Sequence, residues 1–117
     1  MSIARKQLKQ VSFKGIASGR RLPAVHPGSV LLCDFIEPMG ITRYRVAKAI
    51  GVQQRRIDDI CAGTRGITAE TAVRLGLAFG IDPQFWLNLQ SQYDIEVLQQ
   101  MHGDELAAEV TALGEAA

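Results

Sequence analysis

The sequence predicts an all-α fold, and three observations carry that prediction. Helix start and stop signals recur along the chain, apolar residues between them fall at helical spacing, and no convincing central strand is present. At 117 residues the chain allows one domain of ordinary size. About two-thirds of the unfolded surface can be buried at such a length, enough for a real core. Three segments are expected: a basic arm over 1–26, a helical domain over 27–102 and an acidic helical tail over 103–117.

The arm contains Gly15, Gly19 and Pro23 and has no helical period; Val11 and Phe13 alternate with polar neighbours, so a short strand is expected at Lys9–Ile16. His26-Pro27-Gly28 opens the folded part, because a proline suits the first turn of a helix, where its missing N–H is not needed. Helix one should stop at about Glu37, before Pro38-Met39-Gly40, burying a choice among Val30, Leu31, Cys33, Phe35 and Ile36. Thr42 is the expected cap of a second helix, Arg43 to Ile50, ended by Gly51. A third helix fits Gln53 to Cys61, ended by Ala62-Gly63. A fourth starts at Thr68, carries Glu70 in its first turn and ends at Gly80. Asp82-Pro83 starts a fifth, running to about Met101 with Trp86, Leu89, Tyr93 and Val97 on one stripe. Gly103-Asp104 should break it, leaving Glu105–Leu113 as a separate short helix.

Composition narrows the classes of function. The hydrophobic fraction is 47% and the charged fraction 21%, a globular balance with too much apolar residue for a wholly disordered chain. No apolar run is long enough for a transmembrane helix, and no apolar stretch follows the early basic residues as a secretory signal would require. Cys33 and Cys61 fit no metal-ligand spacing and are too few for a disulfide framework, so a cytoplasmic chain with reduced thiols is expected. The net charge of +1 conceals a polar distribution: +6 over residues 1–26, +2 over 27–74 and −7 over 75–117, where no Lys or Arg occurs. Such a field suits one end facing phosphate and another kept away from it.

The stretch from Thr42 to Gly66 has the spacing of a helix-turn-helix. Ala47 is small where two steeply crossing helices must touch, and Gly51 accepts the positive φ of a three-residue turn. Val46 and Ile50 fill the inner face of the first helix, and Ile57 and Ile60 anchor the second. The second helix is left with a free polar face of Gln53, Gln54, Arg55, Arg56, Asp58 and Asp59. Gln pairs bidentately with adenine and Arg with guanine, and recognition helices touch bases mainly with their N-terminal residues. Gln53, Gln54, Arg55 and Asp59 are therefore the candidate base readers. Asp59 has two open roles, orienting Arg55 from i+4 or accepting from a cytosine amine; Asp58 suits a structural or orienting role. Thr42, Arg43, Arg45, Lys48, Arg56 and Arg65 are the candidate phosphate contacts. A recognition helix reads only a half-site, so a homodimer on double-stranded DNA is expected. Its surface is placed at Trp86, Leu87, Tyr93, Val97 and Leu98, although Trp86 at this spacing also fits the core.

The same residues resemble the HigA-type antitoxins of the Xre-like, lambda-repressor-like helix-turn-helix group. The resemblance covers Val25 to Asp94. It begins at His26-Pro27-Gly28 with Leu31, passes through the helix-turn-helix and continues as Gly66 to Leu75, Gly-Ile-Thr-Ala-Glu-Thr-Ala-Val-Arg-Leu. It ends in Phe85-Trp86-Leu87-Asn88-Leu89-Gln90 and Tyr93-Asp94, its most specific block. Cys61-Ala62-Gly63 departs from the Asn-Gly loop such proteins often carry, and the 26-residue arm is longer than typical. The resemblance implies a lambda-repressor-like five-helix domain in a dimeric repressor of its own operon. It further implies that the protein silences a small basic toxin, a RelE-like ribosome-dependent nuclease that cuts mRNA, and has no catalytic role itself. Alternatives are an orphan regulator of the same fold without a toxin, or an interaction module that has lost DNA binding.

No enzyme, cofactor or metal reading survives the remaining motifs. His26 and His102 lie far apart, and Gly63-Thr64-Arg65-Gly66 lacks the Gly-Lys-Ser/Thr of a phosphate loop. Adjacent Asp58 and Asp59 point about 100° apart on a helix. Ser12, Ser18, Ser29 and Ser91 lack a nucleophile elbow. The arm stays open among disorder, phosphate contact and a toxin-binding strand.

Overall fold

The computed structural model describes residues 23–116, and every described element is helical. The strand expected at Lys9–Ile16 lies outside the described residues. Helix α1 spans 27–39: it opens as Pro27–Val30, widens to a π-helical stretch over Leu31–Ile36 and closes as Glu37–Met39. The others are α2 Arg43–Ile50, α3 Gln54–Ala62, α4 Ala69–Phe79, α5 Pro83–Glu109 and the single turn α6 Leu113–Ala116.

Side-chain caps explain most starts. The Oγ1 of Thr42 accepts from Arg45 N at 3.0 Å, the Oδ1 of Asp82 from Gln84 N at 2.9 Å, and the Oγ1 of Thr68 from Thr71 N. His26 caps α1 through its Nδ1, which accepts from Gly28 N at 2.9 Å. Each satisfies one of the donors that a helix N-terminus leaves without an intrahelical partner.

Two helix ends differ from the sequence reading. α1 continues through Pro38 and ends at Gly40. A proline ring ordinarily crowds the carbonyl four positions back. Here the turns leading to it are wide, and the Glu37 N–H reaches Leu32 O, five back. α5 likewise passes through Gly103-Asp104, so the expected domain boundary at 103 falls within a helix and Glu105–Leu113 is not a separate one. A helical glycine costs about 1 kcal/mol relative to alanine, which weakens a long helix without ending it. α3 starts one residue later than expected, with Gln53 as its cap, and includes Ala62.

The core gathers Leu31, Val46, Ile57, Ile60 and Leu75 around Trp86, each buried. Cys33, one of the candidates for burial on α1, is exposed. Trp86 is 0% exposed and ringed by Phe35 and Phe85, with centroids at 5.1 and 5.0 Å. The expected dimer surface therefore loses Trp86, because its whole side chain is consumed inside one chain. α1 crosses α3 at Gly28, where a Cβ would overlap the carbonyl of Ile60; only glycine permits that approach.

The radius of gyration is 17.0 Å, against about 13.4 Å for a compact chain of this length. The excess comes from α5. Its first turns pack on α4 and α1, while its second half projects with every residue from Leu98 to Val110 exposed except Gly103.

Candidate nucleic-acid interface

The α2–α3 pair forms as the spacing predicts. Val46, Ala47 and Ile50 of α2 and Ile57 and Ile60 of α3 are all buried. Gly51 sits at φ 76 and ψ 36 between them, a left-handed conformation costly for any residue with a Cβ. The Val52 N–H then bonds back to Ala47 O at 3.0 Å, closing the turn.

Beyond that turn Gln53 takes an extended backbone, and its side chain makes no capping bond to α3. Gln53, Gln54 and Arg55 are exposed at the N-terminal end of α3. The Arg55 side chain is 85% exposed, with its Nε 3.8 Å from Asp59 Oδ2. The same Asp59 oxygen lies 3.8 Å from Arg65 Nη2, so one carboxylate is shared by two guanidinium groups. This spacing puts Asp59 within ion-pair range of both Arg55 and Arg65.

The phosphate candidates do not form one set. The Thr42 hydroxyl oxygen accepts the α2 cap bond, which leaves its O–H available to donate. Arg43 donates from Nε to Asp58 Oδ1 at 3.0 Å, tying the start of α2 to α3. Lys48 Nζ lies 3.4 Å from the Tyr44 hydroxyl and 5.7 Å from its ring centroid, so an exposed Tyr44, which the sequence reading passed over, accompanies it. Arg65 flanks α3 beside Asp59. Arg45 points elsewhere: it borders a cleft of about 150 Å³ with Met39, Ile41, Ala49, Ala78 and Phe79, between α1, α2 and α4. Arg56 turns toward α4, its Nη1 3.9 Å from Glu70 Oε1.

Two supporting residues escaped the sequence reading. Arg74 Nη1 donates to the carbonyl of Ile50 at 2.7 Å, at the C-terminus of α2, while Nη2 meets Glu70 Oε2 at 3.0 Å. A cation at the last carbonyls of a helix is favoured by the helix dipole. Gln90 of α5 accepts from Ile67 N at 2.6 Å and fixes the loop that carries Arg65. A charged residue one turn after the acidic start of α4 hints at the first; the second closes the Phe85 to Gln90 block of the family resemblance, although nothing in the sequence names its partner.

Nothing among the described residues forms a metal cluster, and no described helix is long and apolar enough to cross a membrane. Burial pushes the Cys61 thiol above its ordinary range, with Arg43 opposing. Fold and face together define a helix-turn-helix protein of lambda-repressor-like architecture.

A helix-turn-helix family profile matches residues 34–86. Virulence-associated protein I of Dichelobacter nodosus is 44% identical over 84 residues, covering 72% of this chain and 78% of that protein. An addiction module antidote protein of a HigA family from Coxiella burnetii superposes with a TM-score of 0.75 at 36% identity, covering 79% of this chain and 100% of that one. The Pseudomonas aeruginosa antitoxin HigA, solved with the higBA promoter, gives a TM-score of 0.75 at 34% identity over 77% of this chain and 98% of that one. The chain belongs to the HigA-type antitoxins of the Xre-like helix-turn-helix family, a group of non-enzymatic proteins.

Proposed function

We propose that the chain is the antitoxin of a type II toxin–antitoxin pair, acting in the cytoplasm as a dimer. It represses its own operon by binding operator DNA and neutralises a small basic toxin of the RelE-like, mRNA-cleaving type. The observation that carries the DNA half is the exposed edge of Gln53, Gln54 and Arg55 at the start of α3, presented just after the Gly51 turn. That edge has the side chains and the position for major-groove reading. Asp59 holds Arg55, and Thr42, Arg43, Lys48 and Arg65 border the same region as phosphate contacts. Arg45, beside the α2–α4 cleft, and Arg56, turned toward Glu70, stand apart from that set as further phosphate candidates. In the dimer, α5 supplies half-buried Leu87, Tyr93 and Val97 and exposed Leu98. The likeness to a HigA antitoxin solved with its promoter supports the reading.

The test is quantitative binding to the DNA upstream of the chain's own gene. Arg55→Ala should cost about 1–3 kcal/mol on that operator and far less on random DNA. Arg43→Ala and Lys48→Ala should weaken both DNAs alike and flatten the salt dependence. Equal losses of Arg55→Ala on both DNAs would remove Arg55 from base reading. A chain that binds the operator but no toxin would be an orphan regulator.

A further inference from the structure

We infer that Gln90 of α5 is a positioning residue for DNA binding, setting the backbone that presents Arg65 to phosphate. Such a role rests on the operator-binding reading and deepens it. The loop between α3 and α4 is pinned at two places, and Arg65 and Gly66 lie between them. On the α3 side, the Thr64 N–H and hydroxyl both donate to Asp59 O, at 3.0 and 3.2 Å. On the α4 side, the Ile67 N–H donates to Gln90 Oε1 at 2.6 Å. The first pin is local to α3, whereas the second comes from another helix. Ile67 is also buried, and Thr68 caps α4 just after it. Burial holds the Ile67 side chain without regard to direction, but a hydrogen bond orients the whole plane of the Gly66–Ile67 peptide. Gly66, with no Cβ to restrict it, leaves that plane free to turn once the bond is lost, and Arg65 is the residue before it.

The Gln90 amide is itself held. Its Nε2 donates to Asp94 Oδ1 at 2.9 Å, one turn further along α5. An ionised carboxylate only accepts, so this bond admits one orientation of the amide, with Oε1 turned to Ile67. Gly66 lies against the same amide: a Cβ there would stand 3.0 Å from Oε1 and 3.2 Å from both Cδ and Nε2. Since Gly66 is not among the residues with positive φ, closeness to Gln90 rather than a left-handed turn accounts for a glycine at this position. The contacts end at the reading edge. Arg65 Nη2 is 3.8 Å from Asp59 Oδ2, the oxygen that also neighbours Arg55.

The experiment is a double-mutant cycle between Gln90 and Arg65 in the full chain, read by fluorescence anisotropy on operator and random DNA across a salt series. In the unaltered chain, Arg65→Ala should weaken binding to both DNAs about 3–10-fold at low salt and reduce the salt slope by about 1. Gln90→Met removes the acceptor at similar length; in that background Arg65→Ala should cost less than about twofold and leave the slope unchanged. Should Gln90→Met fail to fold by circular dichroism, Gln90→Ala, which admits water to the Ile67 N–H, takes its place. Gln90→Glu combined with Asp94→Asn keeps an acceptor for Ile67 and a bond between the two side chains at the same net charge, and should restore the full Arg65 effect. An Arg65 effect of equal size with and without the Gln90 acceptor overturns the positioning role, because a residue that only stabilises the fold leaves the cycle additive. Failure of the exchanged pair to restore the effect overturns the hydrogen bond as its means. Arg65→Ala without effect in the unaltered chain also overturns the role, while operator binding stands. No operator binding by the unaltered chain overturns the DNA-binding reading and the positioning role together.

Discussion

Asp59→Asn separates orientation from base contact at the DNA-reading edge. The Asp59 oxygen stands 3.8 Å from both Arg55 and Arg65. Coulomb's law gives about 1 kcal/mol for each such pair in water, and measured exposed pairs fall at about 0.2–1 kcal/mol. Since the Arg55 side chain is 85% exposed and that of Arg65 49%, the lower half of that range applies. Removing the charge has two consequences of opposite sign. Phosphates approach a face with one fewer acid, so random DNA should bind about 3–10-fold more tightly at low salt. Arg55 loses the group that restrains it, so the ratio of operator to random affinity should fall by about 1.5–3-fold. The assay is fluorescence anisotropy with both DNAs across a salt series. Operators altered one base pair at a time supply the control. If Asp59 instead accepts from a cytosine amine, about 1–3 kcal/mol of discrimination would vanish at one base pair alone. An unchanged operator-to-random ratio would refute the orienting role.

Two further outcomes follow from side chains remote from the bases. Arg74→Met retains the aliphatic stem but removes the charged bond to Ile50 O and the pair with Glu70; unfolding in urea should show a loss of about 2–3 kcal/mol, and a loss under about 0.5 kcal/mol would show that the α2 terminus does not depend on it. Burial holds the proton affinity of His26 below its ordinary value of 6.5, with Asp94 pulling the other way, so the unfolded chain binds that proton more tightly. The His26 contribution to stability is thus complete above about pH 6.5 and declines as the pH falls toward the folded value, when a protonated Nδ1 can no longer accept from Gly28. His26→Asn keeps a capping acceptor without titrating and should flatten denaturation midpoints between about pH 7 and 5; an undiminished slope would place the acid sensitivity elsewhere.

What could be read in the sequence was what local chemistry decides. Thr42, Thr68 and Asp82-Pro83 start helices because their own side chains or rings settle the first turn. Gly51 and Gly80 end them because the left-handed turn there excludes a Cβ at little cost only for glycine. The same local logic misjudged Pro38 and Gly103. Each is a breaker by propensity, yet the wide turns before Pro38 and the length of α5 accommodate them.

The DNA-reading edge divides in the same way. Gln53, Gln54 and Arg55 follow from their place at the N-terminal end of one helix, and Asp59 from its i+4 spacing to Arg55. Which way the flanking cations turn does not, because partners on other helices decide it. Arg43 is drawn to Asp58 fifteen positions on, and Arg56 to Glu70 fourteen on. Arg45 sits on the side of α2 that faces α4. Gln90 marks the limit of reading by period. It occupies an ordinary polar position on α5, and its partner is the backbone N–H of Ile67, twenty-three residues earlier. A backbone donor carries no side-chain signature, so no pattern of residue types can announce that bond. Yet it joins the helix proposed for the dimer contacts to the loop that carries Arg65, which makes it a physical link between the dimer helix and the DNA-reading edge.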